Sequence, residues 1–158
     1  MIVIGIDPGL ATVGFGVIRK EGSSITPVSY GCIRTYPDKQ KSERLSEIHA
    51  EISVLFEKYA PEALALEKLF FSKNVTNAMS VSEARGAILL AAQQKNIPVF
   101  EYTPNQVKQA ITGSGKADKR QMQEMIRRLL KLEELPKPDD AADGLSIALC
   151  HINFRGLK

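Results

Sequence analysis

The stretch that most constrains this fold lies at the amino end: Ile2-Val3-Ile4-Gly5-Ile6, running directly into Asp7-Pro8-Gly9. An apolar run of this length, rich in β-branched side chains, reads as a buried strand. The Asp-Pro-Gly that follows has turn chemistry: Asp opens, Pro fixes φ and Gly tolerates positive φ. A carboxylate is thereby fixed to the carboxyl end of a buried strand.

Further elements follow at short intervals. Val13 to Ile18 and Ile25 to Arg34 read as two more strands, and their short connections favour an antiparallel meander. Leu45, Ile48, Ile52, Leu55, Phe56 and Tyr59 recur at helical spacing, and Pro61 ends that helix. Ala63 to Glu67 is a short buried strand, 78–95 a helix, and Pro98 to Tyr102 a fifth strand. Helical segments are expected at 104–111 and 118–131, with a last helix opening after Pro136-Lys137-Pro138 and running to about Asn153. Right-handed crossovers place strand four beside strand one and strand five beyond it. The predicted class is therefore α/β, with a five-stranded mixed sheet in the order 3-2-1-4-5 flanked by helices. Strands one and four, as parallel neighbours left in opposite directions, flank a topological switch point where ligand crevices form.

At 158 residues the chain suits a single domain, 1–158, burying roughly 70% of its unfolded surface. Its first ten residues lack a basic n-region and a cleavage site, and no apolar run spans a bilayer, so a cytoplasmic protein is expected. Cys32 and Cys150 lie far from any zinc-ligand spacing and are expected as small buried apolar residues. A net charge of +3 permits a nucleic-acid partner without demonstrating one.

The acids carry more information. Asp7 and Glu67 end the two strands predicted to be parallel neighbours, about 4.8 Å apart. Carboxylates that close repel unless they share a proton or a cation. Asp140 and Asp143, in Asp140-Ala141-Ala142-Asp143, fall at i and i+3 and so on one helix face. Helix N-termini favour acids on dipole grounds alone, a role that Asp139 can fill. Asp143 lies further in, beside small residues that let another backbone approach. If this helix packs its amino end over the switch point, four acids converge on an oxygen-only site suited to Mg²⁺, with Mn²⁺ as a substitute. Two such ions about 4 Å apart can clamp both oxygens of a phosphoryl displacement. The only histidines, His49 and His151, are expected in packing or surface roles.

With these residues in place, the sequence closely resembles the RuvC family of bacterial Holliday-junction resolvases. The resemblance rests on Ile4 to Gly9, Glu67 to Asn74, Ala84-Arg85-Gly86, Phe100 to Lys108 and Asp140 to Asp143, in order over nearly the whole chain. It implies a ribonuclease H-like fold and a two-fold homodimer. It also implies paired metal-dependent incisions in four-way junction DNA that leave 5′-phosphates, in recombination and repair, and partnership with the RuvA–RuvB branch-migration complex. Asp7, Glu67, Asp140 and Asp143 match the family's metal-site acids, Phe70 a base-stacking aromatic, and Lys108 and Lys119 DNA-contacting residues. Gly144 stands where the family commonly has alanine.

Lys73 and Asn74, beside Phe70, are further DNA candidates. So are Lys116, Lys119 and Arg120, which cluster at a helix start where the dipole disfavours cations. Gly113-Ser114-Gly115-Lys116 fails the Walker pattern. The apolar helix 78–95 is the expected dimer interface, with Leu89 on it. Two other classes were weighed. A sugar-kinase or actin-like ATPase needs a second lobe, and a junction-binding module without catalysis leaves the four acids without purpose.

Overall fold

Strand β1 (Ile2–Asp7) is the middle strand of a five-stranded sheet whose order is β3-β2-β1-β4-β5, as the crossovers predict. The computed structural model describes residues 1–69 and 74–155. Antiparallel β2 (Thr12–Glu21) and β3 (Ser24–Arg34) complete the meander. β4 (Ala63–Glu67) and β5 (Val99–Tyr102) add parallel to β1 on its other side.

Alternation along the strands divides the core in two. Val3, Ala63 and Ala65 face one layer, with helices α3 (Pro104–Thr112), α4 (Lys119–Leu129) and α5 (Asp139–Arg155). Ile4, Ile6, Leu64 and Leu66 face the other, with α1 (Lys41–Tyr59) and α2 (Val75–Gln94). A strand covered on both faces needs an unbroken apolar run, which is why β1 and β4 lack the polar alternation of a surface strand.

Local chemistry sets the helix ends. Thr103 and Asp118 cap α3 and α4, each in a reciprocal box with the glutamine three residues on. Gly113 closes α3 at φ 74°, so the glycine-rich Gly113-Ser114-Gly115 is a helix C-cap and turn, with no phosphate-loop architecture.

Helix α5 is buried along most of its length and lies directly across β1 and β2. Its approach is set by missing side chains. A Cβ on Gly5 would overlap the α5 backbone at Gly144 and Ala148, one on Gly14 would overlap Asp140, and one on Gly144 would overlap Phe15 and Gly16. Gly144 is thus matched to this contact. Cys150 is buried as expected, but Cys32 is only half-buried, because β3 is an edge strand.

Candidate metal centre and its flanks

The register brings the first two acids together. Ile6 pairs with Leu66, so Asp7 and Glu67 leave neighbouring strands at the same edge. Close packing of α5 on β2 delivers the other two from above. One carboxylate oxygen each from Asp7, Asp140 and Asp143 falls within a group no more than 4.8 Å across. Glu67 stands beside it at the end of the neighbouring strand, near enough for its charge to act on Asp7. All four predicted acids are half-buried at one spot.

Their electrostatics follow from that crowding. Burial, reinforced by the charges of Glu67, Asp143 and Asp140, pushes the Asp7 carboxyl up to about 8. Burial likewise raises Glu67 and Asp143, against the attraction of Lys108 on the first and Lys119 on the second. No ion pair among the described residues engages any of the four acids. Such a cluster must take up a proton or a cation, and an all-oxygen donor set fits a hard divalent ion.

Three hollows adjoin the acids, one of them walled by Asp7 and Glu67 together with Lys68, Asn77 and Pro104. A cleft of about 210 Å³ includes Glu67, Asp143, Lys108 and Lys119 in its walls. Lys119 pairs with Asp139 at 3.2 Å, and Gln123 donates to the same carboxylate at 3.0 Å. Asp139 is thus the exposed acid that holds Lys119, while Asp140 and Asp143 turn inward. A second hollow, bounded by Asp7 and Asp140, has Arg44 in its wall. Lys116 and Arg120 are exposed and do not line the Lys108 cleft. Asn74 caps α2, its side chain accepting from the Asn77 amide at 3.2 Å. Phe70 and Lys73 lie outside the described residues.

Sequence reasoning missed two supports. Arg85 donates to the Glu67 carbonyl at 3.4 Å and forms an ion pair with Glu101 on β5. A largely buried cation thereby ties α2, β4 and β5 together behind Glu67. Its signal in the sequence was the interruption of an otherwise apolar helix. Tyr102, next to Glu67 in the register, shares a 2.7 Å hydrogen bond between its hydroxyl and Nδ1 of His151, which is fully buried.

Comparison with known proteins agrees with this geometry. The family model described as "Crossover junction endodeoxyribonuclease RuvC" matches residues 3–151. A protein of that name from Pseudothermotoga lettingae is 52% identical over 157 residues, covering 99% of this chain and 97% of its own. One from Brevibacillus brevis is 54% identical over 155 residues, covering 98% and 93%. The structure of Thermus thermophilus RuvC in complex with Holliday junction substrate superimposes with a TM-score of 0.95 at 38% identity, over 99% of this chain and 96% of that one. With sheet order, acid cluster and sequence in agreement over nearly its full length, the chain belongs to the RuvC family of crossover junction endodeoxyribonucleases.

Proposed function

We propose that this protein resolves four-way DNA junctions by paired, symmetric phosphodiester hydrolysis in recombination and repair, with Asp7, Glu67, Asp140 and Asp143 holding two Mg²⁺ ions. The observation that carries the reading is the convergence of the Asp7, Asp140 and Asp143 carboxylates, none of which is in an ion pair among the described residues. Bound Mg²⁺ supplies an acidified water as nucleophile and charge stabilisation for the leaving 3′-oxygen. Mn²⁺ has the same ligand preference and would substitute.

The rest falls to the chain's own residues. Glu67 and Asp7 set one side of the metal site from two strand ends, and α5 sets the other. Lys108 and Lys119 line the adjoining cleft and are suited to phosphate oxygens. Lys116, Arg120, Lys73, Asn74 and Phe70 extend the proposed DNA-contacting set, Phe70 by stacking on an exposed base.

A four-way junction has two equivalent strands to cut, which a two-fold dimer matches. The proposed interface is the outer face of α2. Val75, Met79 and Leu90 stand there at helical spacing, each more than half exposed. Leu89, expected on that face, is half-buried against the core. The chain would act as one nuclease domain in the cytoplasm, beside the RuvA–RuvB branch-migration complex. No described helix is long and apolar enough to cross a membrane.

The test is cleavage of a synthetic mobile four-way junction, with and without Mg²⁺, by wild type and by Glu67→Gln. Paired, ligatable nicks from wild type alone, with junction binding retained by the variant, support the reading. No cleavage by wild type with any divalent ion overturns it.

A further inference from the structure

Three hollows meet at the acids, and the lysines expected from the sequence to contact DNA, Lys108 and Lys119, line one of them. On the Glu67 and Asp143 side stand Lys108 and Lys119. On the Asp7 and Asp140 side the wall is built from the β1–β2 turn, Arg44 of α1, and Asn77 and Ser80 of α2. This second hollow measures about 460 Å³ and opens to solvent.

Arg44 is held in a particular way. Its Nε donates to Oγ1 of Thr35 at 2.8 Å, and that hydroxyl donates to the carbonyl of Leu10 at 2.5 Å. The Thr35 amide also donates to the Ala11 carbonyl at 3.0 Å. The guanidinium is therefore anchored through one nitrogen to the turn that follows Asp7. Among the described residues no ion pair or hydrogen bond takes up its two Nη groups. A half-buried arginine that shares a hollow with Asp7 and Asp140 but forms no ion pair among the described residues presents a preformed two-pronged donor to an anion.

We infer that Arg44 binds a backbone phosphate of the incised strand, on the flank of the acid cluster opposite Lys108 and Lys119. A strand crossing the site with its scissile phosphate at the acids places the preceding and following phosphates in different hollows. Lys108 serves one hollow and Arg44 the other. Thr35 orients the guanidinium, and the polar Asn77 and Ser80 complete a wall suited to a hydrated anion. The assignment rests on the junction-resolving function proposed above.

The experiment measures junction binding against salt in a Glu67→Gln background, with and without Arg44→Gln. Neutralising one phosphate contact lowers the slope of log K against log salt by roughly 0.9. Junctions carrying a single neutral methylphosphonate, stepped along the strand on both sides of the incision, then locate the contact. We expect one position where the neutral linkage weakens the background protein but leaves the Arg44→Gln form unaffected. The position silenced by Lys108→Gln should lie on the other side of the incision. Arg44→Lys keeps the point charge and loses the fork, so it should recover the salt slope without full affinity. An unchanged slope in Arg44→Gln, or silencing of the same phosphate by both substitutions, overturns the inference while leaving the nuclease reading intact. If the wild-type protein neither binds nor cuts junctions, that reading falls and this one with it.

Discussion

Asp7 and Glu67 leave adjacent parallel strands one residue beyond the Ile6–Leu66 pair, close enough that the Glu67 charge helps to raise the Asp7 carboxyl. Two carboxyls that close favour holding a proton when no cation lies between them.

The first prediction follows from that proton. Asp7 sits at about 8 in the folded chain against 3.8 for the free group. Between those values the native state binds a proton that the unfolded state has released, so stability falls as pH rises from about 4 to 8. The slope is on the order of 1.4 kcal/mol per pH unit for each proton held. In EDTA, melting temperature should drop across this window, and Mg²⁺ should restore it most strongly at the alkaline end. Asp7→Asn should flatten the profile and raise the metal-free melting temperature at pH 8. A metal-free profile that is level from pH 5 to 8 would sink this account.

The second prediction concerns Gly144. A Cβ here would overlap the backbone of Phe15 and Gly16. Gly144→Ala should therefore lift α5 from β2, at a cost of about 1–3 kcal/mol from overpacking. Because Asp143 is the preceding residue and Asp140 lies one turn away, the same shift should reduce cleavage beyond the loss of folded protein. Denaturant midpoints and single-turnover cleavage measured on the folded fraction would separate the two effects. Unchanged midpoint and rate would mean that β2 yields to the methyl group at no cost.

Much of this arrangement was legible in the chain because it depends on patterns that the sequence writes directly. β1 and β4 are apolar without interruption, short connections enforce the meander, and crossover handedness does the rest, which brought Asp7 beside Glu67 before any coordinates. The Asp140 and Asp143 spacing placed both on one face. The depth of α5 was hinted at by small residues, but its contact with Gly14 and Gly16 requires knowing which faces meet. Arg44, Arg85 and His151 were less legible. Each gains its role from a partner 9, 16 or 49 residues away in sequence (Thr35, Glu101, Tyr102), and no local pattern records such pairs. The outer face of α2 was less sharply written, because the helix is apolar on several sides and periodicity alone does not choose between Leu89, half-buried against the core, and the exposed Leu90.

That distinction makes the third prediction. Leu90 is 53% exposed and shares its stripe with Met79 and Val75. Leu90→Glu places a charge on the proposed interface without disturbing the core. It should yield a folded monomer by sedimentation, with native-like circular dichroism and loss of paired incision. Leu89→Glu would instead bury a charge against Ile88 and its neighbours and should destabilise the fold. A dimer of unchanged mass in Leu90→Glu would remove α2 as the interface.

The fourth prediction lies behind the acid cluster, where β5 meets α5. His151 is fully buried, its Nδ1 paired with the Tyr102 hydroxyl and its Nε2 without a partner among the described residues. Burial, helped by the nearby Arg155 charge, pushes the imidazole down to about 4 from 6.5. The unfolded chain therefore takes up a proton between pH 6.5 and 4 that the native ring refuses, and this group's contribution to stability is lost as pH falls through that window. The imidazole and Asp7 thus act in opposite directions over much of the same range, so the two are best separated by substitution. Tyr102→Phe leaves both ring nitrogens unpaired in the core and should cost about 1–3 kcal/mol at neutral pH. His151→Phe removes the titrating group, and its stability measured in Mg²⁺ should vary less between pH 6.5 and 4 than that of wild type. If wild type and His151→Phe lose stability in parallel over that range, the buried ring is not the source of the acid sensitivity.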